Sequence, residues 1–489
     1  MHAPLPLYTS DQLKAMDRHA QQALGLAAYE LMGRAGAAAW QLLQQRWPGA
    51  RTIGVACGPG NNGGDGFVVA RLARAAGCTV HVVVPPDAAP RAAAARRAAE
   101  DWRAGGGITR SFDGQLPAAD LWVDALFGIG LARPAAGAVL AMIERLNAAR
   151  VPILSLDVPS GLDPDRGAGR RAVHATVCLS FLAAKRGLYT SDACGTEVLL
   201  DRLGIPPEVF ADFAPAALRF DAQALSAALP PRGANTHKGE FGHVLCIGGE
   251  HGMGGAVRLC AEAALRAGAG LASVATRSEG VAAMMAARPE AMTHAVEDAA
   301  ALEVLIRRAD VLAVGPGLGH GDWGRALFEA AADSGKPMIL DADGLTLLAA
   351  HPRALPQAIL TPHPGEAARL LGVDTAQVQA DRFAAVEALA RRFDCVVVLK
   401  GAGTLVAAPG ETTAVVGAGN PGMATGGMGD VLTGVIAALH AQDLPRFAAA
   451  LHGALLHGAA GDAAARIDGE RGLLPSDLFP HLRRLANPE

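Results

Sequence analysis

The sequence predicts an α/β protein with two doubly wound domains, each a parallel sheet covered by helices on both faces. Apolar strand-like runs alternate with Ala-rich helical runs, and the strands are apolar on both faces, as buried parallel strands are. The alternation is interrupted near residues 205–232 and then resumes. A chain of 489 residues is long enough for two large domains of this kind.

The first domain begins with helices and continues as strand–helix units. Thr9, Ser10 and Asp11 are favourable capping residues for a helix over residues 9–23, and a second helix, YELMGRAGAAAWQLLQQRW, follows. Strands are predicted at 52–57, 78–84, 120–126 and 151–158, with helices near 65–76, 90–104 and 136–149. Two further strand-like runs, HATVCLSF and TEVLLD, complete the domain.

A Pro- and Ala-rich stretch separates the two predicted domains, which we place at residues 1–215 and 233–489, with a linker at 216–232. After residue 237 the strand-like runs HVLCIGG, ASVATR, ADVLAV, KPMIL, AIL and CVVVL alternate with helices. Two helical runs, DVLTGVIAALH and AALHGALLHGAAGDAAAR, close the chain. No obvious repeat relates the halves, so the chain is predicted to fuse two different folds.

The composition favours a folded protein of a reducing cytosol. Hydrophobic residues make up 51% of the chain and the net charge is −4, which gives no reason to expect nucleic acid or a membrane as a partner. The first twenty residues have no apolar core of signal-peptide length, and no run of eighteen apolar residues predicts a membrane span. The seven scattered cysteines form no CxxC pair.

The segment GPGNNGGDG, residues 58–66, joins the first strand of the parallel sheet to a helix. Its five glycines permit positive φ angles and let backbone N–H groups approach a ligand. A helix N-terminus favours anionic groups such as a pyrophosphate. The alternative is an ordinary strand-to-helix turn capped by Asn and Asp. The paired asparagines favour a binding loop.

Two more polar segments follow strands of the same domain. Asp124 lies near the end of a strand in VDALFGIGLARP, and Asp157 and Ser160 follow another in SLDVPSGLDP. Taken singly, each residue could be a cap or turn residue. Because the carboxyl ends of parallel strands share one rim, amide, carboxylate and hydroxyl oxygens are predicted to meet there and to suit a hard cation.

In the second domain, NPGMATGGMGDVLTG (420–434) is a Gly-rich turn that opens a helix at Asp430. Backbone N–H groups and a carboxylate at a helix start suit phosphoryl transfer, with the carboxylate accepting a hydroxyl proton. The segment KGAGT (400–404) is a second turn of phosphate-binding type after a strand. The alternative is a flexible linker with Asp430 as a helix cap. A P-loop pattern is absent.

Three further segments follow strands of this domain: GPGLG (315–319), DADG (341–344) and TPHPGE (361–366). His363 lies between two prolines that restrict its backbone, and we expect it to contact substrate. The two aspartates of DADG could bind a metal or a polar substrate, or could cap a helix. His452 and His457 are five residues apart on a helix and are predicted to be packing residues.

These motifs resemble the bifunctional NAD(P)H-hydrate repair enzymes. The segments GPGNNGGDG, VDALFGIG, LDVPSGLD and FLAAKRGL are similar to the Rossmann-like NAD(P)HX epimerase domain of that family. By this resemblance Asp157 is a substrate-binding and candidate acid–base residue, with Asp65 as its alternative. The substrate-binding positions implied are Asn61, Asn62, Gly63, Gly64, Asp65, Gly128, Ile129, Gly130, Leu131, Ala132, Arg133, Pro134 and Asp157, and the potassium ligands are Asn62, Asp124 and Ser160.

The second half, with GPGLG, DADG, TPHPGE, KGAGT and GMGD in order, resembles the family's ribokinase-like dehydratase domain. By resemblance, Asp430 is the catalytic base. Ala256, Gly319, His363 and Asp430 would contact substrate. Lys400, Gly401, Ala402, Gly403, Thr404 and Gly429 would contact the nucleotide. Met428 and Glu250 stand where the family commonly has Thr and Ser, and Ala184 stands where it has Pro.

The resemblance implies a cytoplasmic repair enzyme that interconverts the R and S hydrates of NADH and NADPH. It then dehydrates the S hydrate, with ADP as co-substrate and magnesium and potassium as cofactors. ADP is usual in bacterial members and ATP in eukaryotic ones. A homo-oligomer is possible. Three alternatives are a small-molecule kinase, a dinucleotide dehydrogenase, which the missing GxGxxG disfavours, and a first domain that only binds.

Overall fold

The computed structural model describes residues 3–86, 88–130, 134–169, 171–191 and 196–487. The chain divides into two units, residues 6–217 and residues 218–489 together with 1–5. Both are doubly wound α/β folds, which confirms the predicted fold class. A strand over Ala217–Phe220 lies in the stretch where a linker was expected.

The first unit contains nine strands and five helices among its described residues. The strands are β1 (Leu5–Tyr8), β2 (Thr52–Cys57), β3 (Thr79–Val84), β4 (Thr109–Ser111), β5 (Leu121–Ala125), β6 (Ile153–Leu156), β7 (Val177–Phe181), β8 (Ala184–Lys185) and β9 (Glu197–Asp201). The helices are α1 (Ser10–Leu24), α2 (Ala28–Arg46), α3 (Asn61–Ala75), α4 (Ala93–Ala104) and α5 (Gly137–Ala148).

Seven of these strands form a parallel sheet in the order β4-β3-β2-β5-β6-β7-β9. The chain runs outward from β2 to β4 and then returns to β5, so the winding direction reverses between β2 and β5. A crevice forms at such a reversal, beyond the carboxyl ends of the two strands. The short strands β1 and β8 pair with each other in parallel.

The start of α3 differs from the prediction. The helix begins at Asn61 and not near residue 65, so most of the Gly-rich motif is helical. None of its five glycines has a positive φ. Four of the five, all except Gly60, are required by close packing instead: a Cβ at Gly63 would lie 1.9 Å from the Gly58 carbonyl oxygen, and one at Gly64 would lie 2.5 Å from the Met32 side chain.

The second unit contains ten strands and twelve helices among its described residues. The strands are β10 (Ala217–Phe220), β11 (His243–Ile247), β12 (Leu271–Thr276), β13 (Met292–Ala295), β14 (Val311–Val314), β15 (Met338–Leu340), β16 (Ala358–Leu360), β17 (Val396–Leu399), β18 (Leu405–Ala407) and β19 (Ala414–Val416). The helices are α6 (Leu225–Ala228), α7 (Gly254–Arg266), α8 (Val281–Ala287), α9 (Ala299–Ile306), α10 (Asp322–Asp333), α11 (Ala342–Ala350), α12 (Pro364–Leu371), α13 (Thr375–Ala380), α14 (Arg382–Phe393), α15 (Met428–Ala441), α16 (Arg446–Asp468) and α17 (Leu478–Leu485).

The second unit's strands follow the order β13-β12-β11-β14-β15-β16-β17-β18-β19-β10. The strands from β13 to β17 are parallel, and the winding reverses between β11 and β14. Helix α15 is buried along most of its length and packs directly on α7, because a Cβ at Gly434 would lie only 2.0 Å from the Cys260 carbonyl oxygen. The core is therefore built from small side chains.

Within the part of the chain that the structure describes, no helix has the length and apolar character needed to cross a bilayer. The six cysteines that lie in described segments are free thiols, and most of them are buried. His457 is buried on α16, and burial lowers its pKa to about 4, as expected for a packing residue.

Candidate active sites

The first crevice contains a cavity of about 540 Å³ beyond β2 and β5. Residues of α1 and α2, the start of α3, the segment after β5 and the ends of β6 and β7 line it. The structure thus brings together seven residues predicted to bind substrate: Asn61, Asn62, Asp65, Gly128, Ile129, Gly130 and Asp157.

The other predicted positions of this site lie elsewhere. Gly63 and Gly64 are buried in α3 and support the crevice from below. Among described residues, Pro134 is exposed and does not line the cavity. Leu131, Ala132 and Arg133 lie outside the described residues.

Asp124 and Ser160 form a buried polar cluster next to this cavity. The Ser160 hydroxyl donates to Asp124 Oδ1 at 2.6 Å, and the Ser160 backbone N–H donates to Oδ2 at 2.8 Å. The Ser155 hydroxyl donates to the same Oδ2 at 2.8 Å. Burial raises the pKa of Asp124, although these hydrogen bonds oppose the effect. Two of the three predicted potassium ligands therefore touch each other.

Asn62, the third predicted ligand, has an unusual environment. Its side chain is 7% exposed, and neither its amide oxygen nor its amide nitrogen has a hydrogen-bond partner among the described residues. Leaving a buried polar group unpaired costs about 1–3 kcal/mol. An amide oxygen, a carboxylate and a hydroxyl are oxygen donors that a hard cation prefers. The residues present therefore fit a potassium ion.

Asp157 is held in an uncommon backbone conformation, with a φ of 67° at the end of β6. Its Oδ1 lies 2.5 Å from Nζ of Lys185, and its Oδ2 accepts the Ile129 N–H at 3.2 Å. Lys185 is only 1% exposed, and its ammonium also donates to Ser180 Oγ at 2.9 Å and the Phe181 carbonyl at 2.7 Å. All three ammonium protons thus have acceptors.

Lys185 was not predicted as a site residue, although it lies in the quoted segment FLAAKRGL. A signal was present, because a lysine inside an apolar run must find a partner if it is buried. The sequence does not show which partner it finds. The pairing with Asp157 depends on β8, which brings Lys185 beside the end of β7.

Two further carboxyl groups face the same cavity. Burial raises the pKa of Asp65 well above its usual range, and the charges of Asp157 and Asp17 add to the effect. Burial also raises the pKa of Asp17, against a hydrogen bond from Gln21 and the charge of Arg18. The cavity therefore combines an ion-paired carboxylate with a carboxyl group whose pKa is raised by burial.

The second crevice lies beyond β11 and β14, and the predicted substrate residues surround it. Gly319 has a φ of 74°, and its N–H donates to Asp343 Oδ2 at 2.8 Å. Ala256, in the first turn of α7, lies on the same rim, since a Cβ at Gly317 would be 3.3 Å from its methyl group. Ala256 thus lies against the GPGLG turn to which Gly319 belongs.

His363 caps α12 and remains exposed at Nε2. Its Nδ1 accepts the Gly365 N–H at 3.0 Å, and its own N–H donates to Glu366 Oε2 at 2.7 Å. An accepting Nδ1 assigns the ring proton to Nε2 in the neutral tautomer. His363 therefore caps the helix with an exposed ring whose Nε2 lies 3.5 Å from Glu366 Oε1.

Asp430 lies in the first turn of α15, which begins after Gly427 in a left-handed conformation. Burial raises the pKa of Asp430 to about 7, the charge of Asp341 adds to this, and Lys400 opposes it. A carboxyl group with a pKa near the working pH is suited to general base catalysis. Asp430 also lies among helix N–H groups that favour an anionic phosphoryl group.

A buried ion pair lies directly below this helix start. Lys400 Nζ is 2.7 Å from Asp341 Oδ1 and 3.7 Å from Glu366 Oε2. A Cβ at Gly429 would lie 3.1 Å from Asp341 Oδ2 and 3.2 Å from Lys400 Nζ. Burial raises the pKa of Asp341, but the Lys400 ammonium lowers it below its usual range. The Lys400 ammonium is therefore paired with carboxylates of the second unit itself.

The turn KGAGT, which is predicted to contact the nucleotide, is hydrogen-bonded to a buried arginine. Arg382, at the start of α14, is 1% exposed and donates to the carbonyl oxygens of Leu399, Lys400 and Ala402. Gly401 has a φ of 137°, a conformation that requires glycine. Gly401, Ala402, Gly403 and Thr404 thus form one exposed or half-exposed turn with a rigid base. Arg382 was not predicted from the sequence.

No group of three or more His, Cys, Asp or Glu side chains suited to a metal ion occurs among the described residues. Within the described structure, Asp341 of the DADG segment pairs with Lys400, and Asp343 accepts the backbone N–H of Gly319.

A cavity of about 1220 Å³ in the second unit lies away from this crevice, beside Phe241 and Gly268, which precede β11 and β12. It contains none of the predicted site residues. Four arginines and four acidic residues line it, so its charges balance and give no preference for a nucleotide.

Comparisons with known proteins agree with this arrangement. Residues 28–187 match the family model described as YjeF-related protein N-terminus, and residues 244–484 match that described as NAD(P)H-hydrate dehydratase. The second match covers the crevice of Asp430. The second unit is also similar to a solved ribokinase-like superfamily protein of Enterococcus faecalis, with 28% identity and a TM-score of 0.52 over 56% of this chain and 98% of that chain.

Full-length relatives carry both halves. A bifunctional NAD(P)H-hydrate repair enzyme of Coxiella burnetii is 46% identical over 487 residues, 99% of each chain. One of Escherichia coli is 44% identical over 490 residues, 99% of this chain and 95% of that protein. With both domains matched and both crevices formed, the chain belongs to the family of bifunctional NAD(P)H-hydrate repair enzymes.

Proposed function

We propose that the two crevices divide the two activities of this family between them. The first unit interconverts the R and S hydrates of NADH and NADPH, and the second dehydrates the S hydrate with ADP as co-substrate. The observation that carries this proposal is the pair of different carboxyl groups. Asp157 is ion-paired at the first cavity, and Asp430 has a pKa of about 7 at a phosphate-type helix start.

In the first unit, the hydrated ring would enter the 540 Å³ cavity with its C6 hydroxyl facing Asp157 and Asp65. Backbone N–H groups at the start of α3 favour the negatively charged pyrophosphate. Asn62, Asp124 and Ser160 would hold potassium, whose fixed positive charge would help to retain that pyrophosphate. The unpaired amide of Asn62 supports this assignment.

In the second unit, Asp430 would accept the proton of the C6 hydroxyl as the oxygen attacks the terminal phosphorus of ADP. The bond from that phosphorus to AMP breaks, and N–H groups at the start of α15 stabilise the negative charge of the transferring group. The C6–O bond then breaks, phosphate leaves, and loss of a C5 proton completes the double bond. The KGAGT turn would hold the nucleotide.

Magnesium would enter with the nucleotide. The described residues offer no three-ligand cluster for it, so phosphate oxygens and water would supply most of its ligands, as is usual for magnesium bound to nucleotides. The chain's contribution is the KGAGT turn and the helix start that orient those phosphates.

A small-molecule kinase is the second candidate, since a glycine-rich helix start with an aspartate base serves that class equally well. The two activities give different products: a kinase leaves a stable phosphorylated metabolite, whereas the dehydratase releases inorganic phosphate and dihydronicotinamide.

Separate substrates test the division of labour. Pure S hydrate with ADP and magnesium should regain dihydronicotinamide absorbance without the first crevice, and pure R hydrate should need both crevices. A stable phosphorylated product from S hydrate would favour the kinase. A cytoplasmic location and a homo-oligomer stay predictions.

A further inference from the structure

We propose that Asp65 and Asp157 form an acid–base pair for epimerisation, and that Lys185 is the positioning residue that holds Asp157 in place. This inference rests on the epimerase activity proposed for the first crevice and assigns its chemistry. All three side chains line the same cavity, on α3, at the end of β6 and on β8.

The two carboxyl groups have opposite surroundings. Asp157 has a cation at 2.5 Å and a backbone N–H at 3.2 Å, so both of its oxygens are occupied as a carboxylate's would be. Among the described residues, the charges that act on Asp65 are those of Asp157 and Asp17, and both are negative. Two titratable groups whose environments differ in this way can act as base and acid at one pH.

Epimerisation at C6 needs both roles. In the ring-opening route, Asp157 takes the hydroxyl proton, C6=O forms, and the C6–N1 bond breaks with its electron pair moving to N1, which takes a proton from Asp65. Rotation about the C5–C6 bond presents the other face. N1 then attacks C6, Asp65 recovers the N1 proton, and Asp157 returns its proton to the oxygen. Every proton and electron pair is accounted for.

Lys185 fixes the geometry of the base. Its ammonium is held by Ser180 and Phe181 as well as by Asp157, so the carboxylate cannot rotate freely. The left-handed backbone of Asp157 adds a second constraint. Charged and titratable groups that face this cluster or act on it are Lys14, Asp17 and Arg18 of α1, Cys57 of β2, Asp65 of α3, Arg91 before α4 and Cys178 of β7.

The first experiment compares Asp65→Asn, Asp157→Asn and Lys185→Met on pure R hydrate, with the spontaneous rate subtracted. Each Asp→Asn change should lower kcat by about 10²–10⁴-fold, because it removes one partner in proton transfer. The acid limb of the Lys185→Met pH profile should move up by about one to three pH units, because an opposite charge is lost beside the base.

Asp120→Asn is the matched control. Asp120 is an exposed carboxylate before β5 that accepts the N–H groups of Arg51 and Thr52, and it does not line the cavity. Its R-hydrate rate should equal that of the unchanged chain. The dehydration rate on pure S hydrate checks in every variant that the second unit is intact, and thermal unfolding checks the first.

The double variant Lys185→Met/Asp157→Asn separates positioning from general structural support. If Lys185 acts through Asp157, the second change adds little once the first is present, since residues that act through each other are not additive. Full additivity, or an unchanged pH profile in folded Lys185→Met, would overturn the role of Lys185. An Asp65→Asn rate like that of Asp120→Asn would overturn the acid–base pair. No conversion of R hydrate by the unchanged chain would instead refute the epimerase proposal itself.

Discussion

The two crevices contain the same elements in different arrangements: a buried lysine–aspartate pair and a second carboxyl group with a raised pKa. In the first unit Lys185 pairs with Asp157, which lines the cavity, and Asp65 is the group with the raised pKa. In the second unit Lys400 pairs with buried Asp341, and Asp430 at the helix start has the raised pKa.

The position of the lysine decides what the exposed carboxyl group can do. Lys185 pairs with the carboxylate that faces the ligand, and Asp65, whose pKa burial raises, lies on the same cavity as its partner for reversible proton transfer. Lys400 neutralises the buried aspartate below the site and leaves Asp430 free to accept a proton once, during phosphoryl transfer. The same type of lysine–aspartate pair, present once in each unit, therefore supports two kinds of chemistry.

The largest effect is expected when Asp430 loses its ability to accept a proton. Asp430→Asn should lower the kcat of S-hydrate dehydration by about 10²–10⁴-fold and leave epimerisation of R to S hydrate intact. Absorbance at saturating ADP measures the first rate, and chromatography of the two hydrates measures the second. Unimpaired NADH formation would refute the role of Asp430.

Two glycine substitutions compare the tightness of the crevices. Gly128→Ala would put a Cβ 2.4 Å from Asp157 Oδ2, whereas Gly429→Ala would put one 3.1 Å from Asp341 Oδ2. Displacing Asp157 by about 1 Å should cost the epimerase about 10²-fold. We expect Gly429→Ala to cost the dehydratase less, because the contact is looser. Equal losses in both steady-state assays would contradict this ranking.

The pH dependence of dehydration tests the charge below α15. Because Asp430 acts ionised and its pKa is about 7, activity should fall as the pH drops through 7. Asp341→Asn removes a negative charge that raises this pKa and leaves the Lys400 cation with only its longer contact to Glu366. The acid limb should therefore move down by about one to three pH units. A limb that stays in place would show that Asp341 does not act on Asp430.

The smallest expected effect concerns potassium. Exchange of potassium for a large organic cation should weaken the first unit by about 1–3 kcal/mol, since the buried amide of Asn62 stays unpaired. The midpoint of thermal unfolding of that unit should fall by a few degrees, and in Asn62→Leu it should no longer depend on potassium. An equal potassium effect in both proteins would place the ion elsewhere.

Sequence reasoning predicted the strands and helices well because their patterns are local. The helix from Thr9 and most of the buried strands of both sheets lie where capping residues and apolar runs place them, whereas the buried strands β18 and β19 were not predicted. The start of α3 was misplaced, because five glycines in nine residues suggest a flexible turn. Gly63 and Gly64 are needed for close packing against Gly58 and Met32, and those contacts cannot be read from the order of residues in the sequence.

The site was only partly predictable for the same reason. The segment after a strand pointed to Asp157, since the carboxyl ends of parallel strands meet at one rim, and the Gly-rich turn that opens a helix pointed to Asp430. Lys185 and Arg382 support the rim from beneath. Lys185 contacts Asp157, 28 positions earlier in the sequence, and Arg382 contacts residues 17 to 20 positions later. Such supporting residues have no motif of their own, and only the folded arrangement shows their partners.

The most direct test follows the return of dihydronicotinamide absorbance from a mixed preparation of R and S hydrates. Potassium and magnesium are present, ADP is compared with ATP, and the reaction is completed before spontaneous epimerisation contributes. The account predicts full recovery with ADP, because the first crevice supplies S hydrate to the second. Recovery that stops at the S fraction would contradict the epimerase assignment, and no recovery with either nucleotide would contradict the repair function as a whole.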